Sequence, residues 1–65
     1  MKNFGLRLKK LREKRGLTLE ELAKECKVNG LMLRDWERNS MVLTIYHLIK
    51  LAQYFGVSID YLVGL

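Results

Sequence analysis

The side chains with the most obvious capacity for chemistry in these 65 residues are Cys26 and His47, the only cysteine and the only histidine. A thiol and an imidazole together could support nucleophilic catalysis, provided a third group orients the base and donors await the developing charge. The sequence offers neither a paired carboxylate cleft nor a glycine loop that could cradle phosphate, so no catalytic residue and no enzyme are expected. One cysteine and one histidine are too few ligands for zinc, and a lone cysteine forms no internal disulfide. No metal and no cofactor are expected, and no small-molecule substrate.

Charge is the next candidate for chemistry. The chain carries a formal net charge of +5, which invites a nucleic-acid partner. Its distribution is uneven. Residues 1–15 hold seven basic side chains, among them Arg7, Lys9, Lys10 and Arg12, against Glu13 alone, a local charge of +6. The other fifty residues sum to −1, and between Val28 and His47 the balance is zero, with Arg34 and Arg38 against Asp35 and Glu37. No run of residues is long and apolar enough to span a membrane, and the N-terminus does not read as a secretion signal, so a soluble, cytoplasmic protein is expected.

The helices that must position these residues are read from spacing and caps. Phe4, Leu8 and Leu11 recur at helical intervals over residues 4–14, and Gly16 stops that helix. Thr18 and Glu21 form a T-x-x-E capping box that opens a second helix running to about Cys26, with Leu22 and Ala23 turned inward. Asn29 can cap a third, in which Leu33 and Trp36 share a face. Thr44 can cap a fourth with Ile45, Leu48, Leu51, Ala52 and Phe55 as its buried stripe. Gly56 ends it, and Ser58 caps the last short helix, "SIDYLV". No segment alternates with period two. The expected class is all-α, five short helices in one domain over residues 1–65, with a helix-turn-helix at about 18–37.

With these elements in place the sequence resembles the lambda-repressor-like, Cro-type helix-turn-helix family. "LREKRGLTLEELA", "WER" and "LAQYFGVSIDYL" carry the resemblance, which extends over essentially the whole chain. It implies five helices and sequence-specific operator binding, often as a dimer. It further implies an ion pair between Arg12 and Glu37, joining the first helix to the third. Cys26 falls where the family packs an apolar residue. Lys27 stands where relatives often place glycine, and a left-handed backbone there would cost about 1–2 kcal/mol.

The departures from the family pattern cluster. Leu19 stands where a glutamine commonly bonds a DNA phosphate. Gly30 and Leu31 hold the early base-reading positions, followed by Met32, and Asp35 places an anion at a later one. The loop after "WER" reads Asn39, Ser40, Met41, Val42, Leu43, Thr44, without the glycine and basic residues usual there. Base edges are read by donors and acceptors, and leucine or methionine offers only a contact to the thymine methyl. Leu19, Leu31, Met32, Met41, Val42, Leu43 and Tyr46 are expected on one surface, with His47 at its edge, and a contiguous apolar patch marks a binding site. The expected function is therefore a protein-binding module, engineered or self-associating, that contacts a protein partner or a second copy through Leu19, Gly30, Leu31, Met32, Asp35, Met41, Val42, Leu43, Tyr46 and His47. The alternative is a sequence-specific DNA-binding transcriptional regulator. No membrane partner is expected, since Leu8 and Leu11 are needed for the core.

Overall fold

Each helix after the first starts at a residue whose side-chain oxygen accepts a backbone N–H of the first turn, in a computed structural model that describes residues 3–40 and 43–65. Among the described residues there are five helices and no strand: α1 (Phe4–Lys14), α2 (Leu19–Cys26), α3 (Gly30–Glu37), α4 (Ile45–Phe55) and α5 (Ile59–Val63). Thr18 and Glu21 complete the capping box in both directions, at 3.0 and 2.8 Å. Asn29 Oδ1 accepts the amides of Leu31 and Met32, and Thr44 and Ser58 cap α4 and α5. Each such cap contributes about 1 kcal/mol and settles where its helix begins.

A second device repeats at the same four places. The residue before each cap and the residue four after it are both apolar: Leu17 and Leu22, Val28 and Leu33, Leu43 and Leu48, Val57 and Leu62. All eight belong to the core or pack on it. This is the spacing of a hydrophobic staple, which sets the angle at which the chain enters a helix. Trp36, Phe4, Leu8, Leu22, Leu33, Leu51 and Leu62 form the fully buried centre. Helix α3 packs on both α1 and α2, while α5 closes against α1 and α4.

The helix ends use the left-handed backbone. Gly56 and Gly64 adopt it freely, and Lys27 adopts the same conformation at φ 56° with a Cβ attached. Asn39, at φ 55°, ends α3 in the same way. Its side chain also reaches back 34 residues to accept the Gly5 amide at 3.0 Å. Gly5 itself lies against the last turn of α3, where a Cβ would come within 2.7 Å of the Trp36 carbonyl oxygen and closer still to that of Glu37. Only glycine lets α1 approach α3 this closely.

Two expectations about the core are corrected here. Ile45 does not join the buried stripe of α4 and is 63% exposed. Leu43, expected on the outer surface, is a core residue at 9% exposure. The exchange has one cause, because Leu43 precedes the cap and staples to Leu48, leaving Ile45 on the outer side of the first turn.

Candidate nucleic-acid interface

The seam that holds α3 in place is ionic at one end. Arg12 Nε donates to Glu37 Oε2 at 2.7 Å, Nη2 donates to Oε1 at 3.1 Å, and Nη1 donates to the Leu17 carbonyl at 2.8 Å. Both side chains are about nine-tenths covered. The hydrogen bond to Glu37 holds the Arg12 guanidinium above its ordinary pKa, against the lowering effect of burial. With both charges satisfied by each other, neither is free to meet a ligand, and the pairing implied by the resemblance is a structural clamp.

On the outer side of the same helix, Leu31, Arg34 and Arg38 are exposed. Their spacing of three and four residues puts them on one stripe of α3. Leu31 projects from the first turn and is 62% exposed. Beside it lies an open notch of about 400 Å³ lined by Leu19, Glu20, Asn29, Gly30, Leu31 and Arg34. A second, smaller notch of about 230 Å³ is lined by Lys9, Arg12, Leu19, Arg34, Glu37 and Arg38. Leu19 and Arg34 belong to both, so the two depressions form one continuous surface across α1, α2 and α3.

The charges on that surface differ from the count along the chain. Lys9, from α1, joins Arg34 and Arg38 there, while Arg12 and Glu37 cancel. Glu20 and Asp35 oppose them, and Arg34 meets Asp35 only loosely, at 3.8 Å with the arginine exposed. The face carries a surplus of one positive charge.

The expected surface residues therefore separate. Leu19, Gly30 and Leu31 do come together around the first notch. Met32 and Leu19 are half-buried and pack against the core, and Asp35 is half-buried on the flank of α3. Leu43 is removed to the interior, as described above. Met41 and Val42 lie outside the described residues. Tyr46 is exposed and His47 is half-buried. The His47 ring centroid is 5.0 Å from that of Trp36 and 5.3 Å from that of Tyr46. The Thr44 hydroxyl accepts the His47 amide at 3.3 Å and meets its Nδ1 at 2.9 Å. His47 is thus part of the wall over the tryptophan, in a first-turn capping arrangement.

Lys9, Arg34 and Arg38 are not among the expected contact residues. The two arginines could have been found from their spacing to Leu31 on one helical stripe; Lys9 could not, since its arrival beside them depends on how α1 crosses α3. Asn39 and Ser40 end α3, with the Ser40 amide and hydroxyl both donating to the Asp35 carbonyl. Cys26 is buried, and burial pushes its thiol pKa up. Among the described residues, no group of three or more histidine, cysteine, aspartate or glutamate side chains is placed to hold a metal ion. No described helix is long and apolar enough to cross a membrane.

Comparison with known proteins adds two findings. A family model described as "Helix-turn-helix" matches residues 8–62. The HTH-type transcriptional regulator ImmR of Bacillus subtilis (strain 168) is 36% identical over 62 residues, which are 95% of this chain and 49% of that protein. The chain thus spans about half the length of the curated relative it matches.

Proposed function

We propose that this chain, which belongs to the lambda-repressor-like, Cro-type helix-turn-helix family, binds duplex DNA as the recognition module of a transcriptional regulator. The observation that carries this reading is the convergence of Lys9, Arg34 and Arg38 on one face of α3. In this arrangement α3 lies in the major groove, with Leu31 at the base edges and the three cations toward the phosphates. The relative's description as a transcriptional regulator supports the same reading. Between the regulator and an engineered protein-binding face, the comparisons favour the regulator.

Affinity of this kind comes largely from counterion release, so it has a measurable signature. Three phosphate contacts give a slope of about −2.7 in log K against log salt. A fluorescently labelled library of randomised duplexes, titrated at several salt concentrations, is the test. Sub-micromolar binding with a slope near that value supports the reading. Binding that is absent at low salt, or indifferent to salt, defeats it.

A second reading keeps the chain's apolar exposure in view. Tyr46 and Ile49 are exposed on α4 together with Ile45, a surface that suits a protein partner or a second copy. Size exclusion with light scattering addresses the second copy: a dimer that Tyr46→Lys dissolves would place the contact there, and a monomer at all concentrations would discount self-association.

A further inference from the structure

The notch at the start of α3 has a chemistry more specific than that of a positively charged face. Leu31 and Leu19 supply its apolar walls. Gly30, between the cap and Leu31, adds no side chain that would hold a ligand away from them. The Asn29 side-chain oxygen is already engaged, accepting the amides of Leu31 and Met32. Arg34 lines the same notch one turn along, as does Glu20.

From these residues, and resting on the DNA-binding reading above, we infer that Leu31, backed by Leu19, reads the 5-methyl group of a thymine in the major groove. Among the four bases only thymine presents a methyl group on that edge. A leucine side chain offers no hydrogen bond, so against Leu31 itself thymine alone gains a contact, through its methyl group. Arg34, three residues further on, rises about 4.5 Å along the helix axis from Leu31. It therefore brings a full positive charge close to the DNA beside the methyl contact, where a polyanion favours it. The apolar character that reads as a lost DNA face becomes a base preference.

The experiment uses the full 65-residue chain. The tightest duplex is selected from a randomised library, then resynthesised with deoxyuridine in place of each thymine in turn, which deletes one methyl group and keeps the base pair. One thymine in each bound site is expected to show a roughly three- to fivefold loss of affinity, the effect of one buried methyl. Leu31→Ala is expected to bind the thymine and deoxyuridine duplexes equally. Leu31→Gln is expected to move the preference at that position toward adenine, which glutamine can meet with two hydrogen bonds. Circular dichroism of both variants checks that they fold, as an exposed residue should allow. A selected duplex in which every deoxyuridine is tolerated within twofold overturns the inference and leaves DNA binding standing. So does a methyl effect that persists unchanged in Leu31→Ala. A library that yields no duplex removes the DNA-binding reading, and this inference with it.

Discussion

Two sets of charges around α3 are used in opposite ways. In the inner pair, Arg12 and Glu37 are about nine-tenths covered and spend three hydrogen bonds on each other and on the Leu17 carbonyl. In the other set, Arg34 is exposed, 3.8 Å from an aspartate that does not satisfy it. The inner pair fixes the position of the helix, and losing one partner would strand a buried charge. The outer cations are held by nothing strong and are therefore available to a ligand. Stability and binding fall to different charges along the same notch, one pair covered and the others exposed, and substitutions should separate them too.

The largest effect is expected at the clamp. Glu37→Ala should cost about 3–5 kcal/mol of stability, because it leaves the Arg12 guanidinium buried without its partner. Urea unfolding followed by circular dichroism measures this, and a loss below 1 kcal/mol would mean the pair is effectively solvated. Next, Gly5→Ala should destabilise by about 1–3 kcal/mol, the usual cost of forcing a methyl into a packed contact. The same unfolding experiment should show it, and an unchanged midpoint would refute the close approach of α1 to α3.

On the outer side the readout changes from stability to binding. Arg34→Ala and Arg38→Ala should each leave stability within about 0.5 kcal/mol. Each should also flatten the salt dependence of duplex binding by about one unit of slope. If either instead unfolds the protein with the severity of Glu37→Ala, the contrast between the two sides is wrong.

Two smaller effects sharpen the comparison at the turn that joins α2 to α3. Lys27→Gly should stabilise by up to about 1 kcal/mol, since it relieves a Cβ in the left-handed region at some cost in chain entropy. Thermal unfolding would detect it, and a destabilised glycine variant would show that the lysine stem contributes packing that outweighs the strain. Cys26, one residue earlier, has its thiol pKa raised by burial. A group whose folded pKa is raised favours the fold below its unfolded pKa, about 9, and that contribution is lost as pH climbs through the folded value. Stability measured between pH 8 and 10 should therefore fall slightly more steeply in the parent than in Cys26→Ala. Parallel curves would show that the thiol ionises equally in both states.

Much of the fold was legible in local patterns. Thr18, Asn29, Thr44 and Ser58 announced four helix starts, and Gly56 one helix end, because capping needs only neighbours a few residues away. The Arg12–Glu37 pair was legible only through the family resemblance, since nothing local links residues 25 apart. The burial of Leu43 has a local signal as well: it heads the third of four copies of a pattern, apolar–cap–three residues–leucine, whose other copies start at Leu17, Val28 and Val57.

What the sequence by itself determined is the set of helices, their caps and the identity of most of the core, for these follow from hydrogen bonds and side-chain spacing within a turn or two. What only the tertiary structure decided is which apolar and charged residues face outward together. Leu31 and Met32 are adjacent and chemically alike, yet one stands in solvent and the other leans on the core. Lys9 reaches Arg34 and Arg38 only because the absence of a side chain at Gly5 lets α1 press against the end of α3. A helix's own periodicity orders its faces but does not choose among them; that choice is made by the helices packed against it, from residues far away in the chain.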